Sequence, residues 1–175
     1  DEIQFIITNR KRNKFIRNLA WDLKGNTLIL FSRVEGHGKV LFDLINNNVL
    51  EQRQTFFVHG GVGAEDREKV REITENEKNA IIVASYGTFS TGINIRNLHN
   101  IIFASPSKSR IRNLQSIGRV LRKGTNKVKA TLYDIADDAT YKSRRNYTLN
   151  HLIERLKIYN YEKFNYDIIN ISFKK

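Results

Sequence analysis

Short apolar runs alternate with amphipathic segments along most of this chain, and that alternation limits the fold more than any other feature. Thr27–Phe31 reads as a buried strand. Gln54–Val58, Ala80–Ala84, Asn100–Ala104 and Val128–Ile135 read as further strands. Between them lie helical patterns: residues 10–23 (Phe15, Ile16, Leu19 and Leu23 on one face), Gly38–Asn48 (Val40, Leu41, Leu44 and Ile45 inward), 64–76 (Val70 and Ile73 inward) and Ile111–Arg122. Strands alternating with helices predict an α/β domain with a mostly parallel sheet flanked by helices. The ends are expected to add to this frame. Residues 3–7 read as a short strand and 168–173 as a final strand, and Gly25-Asn26 marks a turn. Residues 141–164 read as a long basic helix with Leu149, Leu152, Ile153 and Leu156 packed inward. A composition shift near 138 is the candidate boundary between a domain (1–138) and a basic helical extension (139–175) packed on it.

Charge narrows the partners. The formal net charge is +12 and the pI is near 10.0, which favours a polyanion, with nucleic acid first. Eight Lys or Arg and no acid fall between Ser105 and Ala130. A membrane surface is the weaker alternative, since no apolar run approaches a spanning length. With no cysteine, the chain has no disulfide, thiolate chemistry or cysteine zinc site, and its four histidines lack ligand spacing. Methionine is missing even at position 1, so we expect a segment of a longer polypeptide or a processed product.

In parallel sheets ligands gather beyond the carboxyl ends of the strands. The polar loops there are Ser32-Arg33, His59-Gly60-Gly61, Ser85–Asn94 and Ser105–Ser109. The loop from Ser85 carries hydroxyls and two glycines, which suit phosphate contacts or a plain turn-rich connection. His59 is either a phosphate contact or a locally satisfied side chain. Asp134, Asp137 and Asp138 fit a strand end and helix start better than a metal site. In Gln115-Ser116-Ile117-Gly118-Arg119-Val120-Leu121-Arg122, two arginines stand three apart on one helix face. Planar, permanently charged forks suit a polyphosphate, although a solvated basic face gives the same pattern.

Taken in order, these segments resemble the second RecA-like (P-loop NTPase-type) domain of superfamily 2 helicases, over about Asn26–Asp138. Thr27–Arg33 is similar to that family's motif IV, Ile82–Asn94 to motif V and Gln115–Arg122 to motif VI. Motif VI is the specific element. Ala84–Gly92, Ile117–Lys123 and the tail from Tyr159 to Tyr166 resemble bacteriophage UvsW-type branched-DNA helicases more closely.

The resemblance implies roles residue by residue. Arg119 and Arg122 match the motif VI arginines that reach across a domain cleft to the ATP phosphates, with the division between them open. Gln115 couples nucleotide to the interface, and Gly92 and Asn94 lie near the nucleotide. Asn94 replaces the family's acid and keeps hydrogen bonding without charge. Ser85 stands where the family has a threonine on the DNA backbone. Ser32, Arg33, His59, Gly60 and Thr91 sit on its nucleic-acid loops.

The chain has no Gly-x-x-x-x-Gly-Lys-[Ser/Thr] loop and no Asp-Glu pair after a strand. The resemblance puts both in an N-terminal RecA-like domain of the same polypeptide, which would hold ATP and Mg²⁺. This segment alone is then expected not to hydrolyse ATP. Branched or single-stranded DNA is the implied partner, and the cytoplasm of an infected bacterial host the implied location. Rival readings are a non-enzymatic basic nucleic-acid-binding module, the motor lobe of a restriction-type or chromatin-type translocase, and a small-molecule α/β enzyme, which no catalytic pair supports.

Overall fold

A computed structural model describes residues 1–47, 53–61, 63–89, 95, 97–106 and 130–174. Five strands form one parallel sheet: β1 (Thr27–Phe31), β2 (Thr55–Val58), β3 (Ile81–Ser85), β4 (Asn100–Phe103) and β5 (Thr131–Asp134), in the order β2-β3-β1-β4-β5. The helices are α1 (Glu2–Ile7), α2 (Arg10–Asp22), α3 (Lys39–Asn46), α4 (Gly63–Asn76) and α5 (Tyr147–Tyr161). A π-helical turn (Val34–Gly38) leads into α3, and a 3₁₀ turn (Tyr86–Phe89) follows β3.

Alternation along the central strands divides the core. Leu28, Leu30, Ile82, Ala84, Ile101 and Phe103 pack with Val70 of α4 and Tyr159 of α5. Ile29, Phe31, Ile81, Val83 and Ile102 pack with Ile16 and Ala20 of α2 and Leu41 and Ile45 of α3. Both faces are therefore covered, as a parallel sheet requires.

The amino edge is tied by Asn26, which is fully buried. Its Nδ2 donates to the carbonyls of Glu77 (2.7 Å), Asn97 (2.9 Å) and Thr74 (3.3 Å), and its Oδ1 accepts from Ala80 N–H (2.9 Å). One side chain thus joins the end of α4 to the starts of β3 and β4. Gly25 precedes it at φ +90, where a Cβ would also stand 2.6 Å from the His99 ring, so both the turn and the close approach require glycine.

Several expectations are corrected. Residues 3–7 belong to α1, not a strand. Asp1 accepts from Ile3 N–H as N-cap, Ile6 and Ile7 turn inward, and Phe5 is exposed. Four apolar residues among five fit either period, and the cap decides for helix. The alternating segment 168–173 is not a strand and pairs with none of the described strands. It runs past α2, with the Phe173 ring 6.2 Å from Phe15 and Lys11 Nζ donating to Lys174 O (2.8 Å). Residues 141–146 are a turn rather than helix. The stripe that α5 buries is Thr148, His151, Arg155 and Tyr159, while Leu149, Leu152, Ile153 and Leu156 are only half-buried. Val40 is exposed, and Leu41 and Ile45 carry the inward face of α3.

Asn26→Ala would leave several buried backbone groups without partners. It should lower unfolding stability by about 3 kcal/mol, read by chemical denaturation. A loss within about 0.5 kcal/mol would show that the amino edge does not depend on this amide.

Candidate nucleic-acid interface

The strand register places the candidate loops in one row. Val58, Ala84, Leu30 and Phe103 are level across β2, β3, β1 and β4. Two residues further on, Gly60, Tyr86, Ser32 and Ser105 stand side by side at the carboxyl edge. With strands about 4.8 Å apart, that row spans on the order of 14 Å.

Ser32 and His59 are exposed. His59 rests against Phe57, ring centroids 4.3 Å apart. Gly60 is exposed with φ +85. Arg33 is exposed but engaged, donating to Gln4 Oε1 (2.7 Å) and Asp1 Oδ2 (3.1 Å) of the α1 region. Ser85 is half-buried, and its hydroxyl donates to Asp66 Oδ2 at 3.3 Å. Thr91, Gly92, Asn94, Gln115, Arg119 and Arg122 lie outside the described residues, as does the expected helix Ile111–Arg122.

Sequence reasoning missed Asp66, which is 1% exposed. Its other oxygen accepts from Gly61 N–H (3.3 Å), so one carboxylate joins the loop after β2 to the loop after β3. The signal was faint: an acid in the first turn of a charged helix reads as a solvated residue. Ser85 has one hydroxyl hydrogen, and here Asp66 takes it. At 3.3 Å that bond is weak and easily exchanged for another acceptor.

The tie continues across the sheet. Tyr86 O–H donates to Ser105 O (2.8 Å). The Ser105 hydroxyl donates to His37 Nδ1 (2.5 Å), and His37 Nε2–H donates to Asn13 Oδ1 (3.0 Å). This tautomer follows from Asn13, whose Nδ2 is committed to Ile7 O (2.9 Å) and leaves only its oxygen for the imidazole. Arg12 lies beside this group, donating to Ala104 O (2.6 Å) and pairing with Asp137 (2.7 Å). Gly38 lets the π turn close on Phe31, whose ring a Cβ there would meet at 2.5 Å.

Two consequences follow. The strand connections leave β1 and β4 in opposite directions, so the crevice between them is the usual ligand position in such a sheet. Here Arg12, Asn13, His37 and Ser105 fill it. The hydroxyl–imidazole–amide series also resembles a nucleophile arrangement, but Ser105 is 1% exposed, closed to any substrate. The small-molecule enzyme reading therefore finds no support in it.

The acids after β5 are also occupied. Asp134 accepts from Arg155 (2.6 and 2.9 Å) and Tyr159 (2.6 Å), Asp137 pairs with Arg12, and Asp138 accepts from Thr140 N–H (3.0 Å). Among the described residues no group of three or more His, Asp or Glu could hold a metal ion, and no helix is long and apolar enough to cross a membrane.

The parallel sheet with helices on both faces and a row of loops at one edge defines a RecA-like domain. Residues 10–124 match the helicase conserved C-terminal domain family, and the chain belongs to that family. It is 44% identical, over 95% of its length, to the ATP-dependent DNA helicase uvsW of Enterobacteria phage T4, of which it covers 35%. It is 31% identical, over 91% of its length, to a putative ATP-dependent RNA helicase of Acanthamoeba polyphaga mimivirus, covering 30% of that protein. The chain thus spans about a third of the length of these relatives. The crystal structure of T4 UvsW superposes with a TM-score of 0.74 at 43% identity, over 95% of this chain and 35% of that one. The Sulfolobus solfataricus SWI2/SNF2 ATPase core shares the fold, with a TM-score of 0.52 at 18% identity, over 87% of this chain and 28% of that one.

Burial, with Arg12 adding to it, pushes the His37 pKa down from 6.5 to about 3. The folded state therefore holds this imidazole neutral, while the unfolded chain protonates it below pH 6.5. Its contribution is full above that pH and fades as pH falls toward 3. Wild type should lose up to about 1.4 kcal/mol per pH unit below 6.5 that His37→Gln does not lose, measured by denaturation at pH 7 and pH 5. Parallel pH profiles would remove His37 from this account.

Proposed function

We propose that this chain is the C-terminal motor lobe of an ATP-dependent DNA helicase or translocase acting on branched DNA in recombination or repair. The carrying observation is family membership together with the motif VI sequence Gln115–Arg122. In this reading residues 1–138 form the lobe and 139–175 an extension packed on it. Ser32, Arg33, His59, Gly60, Ser85 and Thr91 grip the phosphodiester backbone. Gly92, Asn94 and Gln115 face the nucleotide, and Arg119 and Arg122 are the catalytic cations. Mg²⁺ belongs to the N-terminal RecA-like domain of the same polypeptide, which would supply the phosphate-binding loop. Arg12, Asn13, His37 and Ser105 occupy the crevice between β1 and β4, which supports placing the phosphate-binding loop elsewhere.

The chemistry of each part suits that division. Ser85 can exchange Asp66 for a phosphate oxygen, while Gly61 N–H keeps Asp66 in place. The bonds Gly61–Asp66–Ser85 and Tyr86–Ser105–His37 hold the loop row as one edge, so its loops would move together when the lobes close. Backbone contacts of this type bind with little sequence preference and weaken steeply with salt.

The experiment is ATP hydrolysis by the full-length polypeptide, with and without branched DNA, for wild type and Arg119→Ala. We expect DNA-stimulated turnover that falls by about 10³-fold or more in the variant while DNA binding is retained. Unchanged turnover would favour the non-enzymatic nucleic-acid-binding module. Steady turnover by the 175-residue chain alone would refute the assignment of ATP binding to a separate lobe.

A further inference from the structure

We propose that the turn at 141–147 is a second nucleic-acid contact, in which Tyr141 and Tyr147 stack unpaired bases and Lys142, Arg144 and Arg145 hold the flanking phosphates. The site lies outside the motor motifs. It rests on the reading that this protein handles nucleic acid, but not on the assignment of its ATP chemistry.

Tyr141 is 74% exposed and Tyr147 53%. Lys142, Arg144 and Arg145 are exposed too, and none forms an ion pair among the described residues. Lys142 Nζ stands 5.6 Å from the Tyr141 ring centroid. Single exposed aromatics are ordinary. Two aromatics interleaved with three exposed cations inside seven residues are the composition of a stacking platform with an electrostatic grip.

The turn is also built to hold its shape. Tyr141 and Arg144 exchange backbone hydrogen bonds (3.1 and 3.0 Å), and Lys142 takes φ +53 to close it. Asn146 Oδ1 accepts from Ala139 N–H (2.9 Å), and its Nδ2 donates to Asp137 O (3.0 Å), tying the entry strand to the exit helix. Glu2 caps α5 from the far end of the chain. It accepts from Tyr147 N–H (2.9 Å), Thr148 N–H (2.8 Å), Thr148 Oγ1 (2.7 Å) and Asn146 Nδ2 (3.0 Å). Burial acts to raise the Glu2 pKa. The bonds from Thr148, Asn146 and Tyr147 outweigh it and bring the value down to about 2, so the cap is anionic at any working pH. Holding the backbone that carries these side chains in place before binding lowers the entropic cost of contact.

The chain leaves β5 at the carboxyl edge, where the motor loops stand. α1 touches both sites, with Asp1 and Gln4 on Arg33 and Glu2 on residues 146–148. Its six residues measure about 9 Å, so one strand held at Ser32-Arg33 is within reach of the turn.

The test is fluorescence anisotropy of labelled oligothymidylate with the full-length polypeptide over a salt series. Tyr141→Ala/Tyr147→Ala should weaken binding about tenfold or more, and Tyr141→Phe/Tyr147→Phe should restore it to within about twofold. Lys142→Gln/Arg144→Gln/Arg145→Gln changes only exposed side chains, which keeps the fold intact. It should reduce the slope of log affinity against log salt by about 2. If wild type binds while both variant sets keep wild-type affinity and slope, this site is wrong and the motor reading stands. Wild type that binds no nucleic acid overturns both.

Discussion

No side chain of β1 reaches solvent, and the rest of the domain is arranged around that fact. A strand buried on both faces needs a hydrogen-bonding neighbour at each edge and a helix over each face, because water cannot satisfy its peptide groups. β3 and β4 supply the edges; α2 and α3 cover one face, α4 and α5 the other. All the ladders are parallel, so every strand ends at the same side. The row of loops is thus a by-product of burying β1, and any chemistry the sheet supports must collect there.

Beneath that edge two series of bonds, Gly61–Asp66–Ser85 and Tyr86–Ser105–His37–Asn13, cross the ends of four strands, and the second lies in the crevice between β1 and β4. Ordinary α/β enzymes keep the crevice open, since substrate must enter it. Filling it with a neutral imidazole, an amide and a paired guanidinium turns ligand chemistry outward, to the loop tips.

Much of this was legible in the sequence. The five strands and α2, α3 and α4 came from periodicity, because buried strands and amphipathic helices of that length leave distinct patterns. Motif order pointed to the RecA-like class. What was not legible was tertiary. Residues 3–7 fit helix or strand equally until Asp1 is seen capping them. Residues 168–173 alternate like a strand, yet none of the described strands pairs with them. The inward stripe of α5 runs through Thr148, His151, Arg155 and Tyr159 rather than its leucines, with Arg155 and Tyr159 bonding Asp134 of β5 and Thr148 bonding Glu2 of α1. Asp66 and His37 act through residues far off in the chain, and no local pattern reports that.

The edge strand β5 shows how much of the fold rests on charge. Its residues are half-buried or exposed, so apolar burial holds it weakly. Two arginines grip the strand's end from opposite faces: Arg12 of α2 through Asp137, and Arg155 of α5 through Asp134, with Tyr159 adding a third bond. Desolvating such pairs is costly, and a well-packed apolar replacement often does as well for stability alone. Direction is what an apolar contact could not supply. Arg155 bonds both oxygens of Asp134, while Arg12 bonds Asp137 and the Ala104 carbonyl at once. Those bonds fix where β4 ends and where the chain leaves β5. Removing one partner would strand a buried ion at a cost of about 3–5 kcal/mol. The cost of burying charge here therefore makes sense as a means of setting where two neighbouring strands end and which way the chain leaves them.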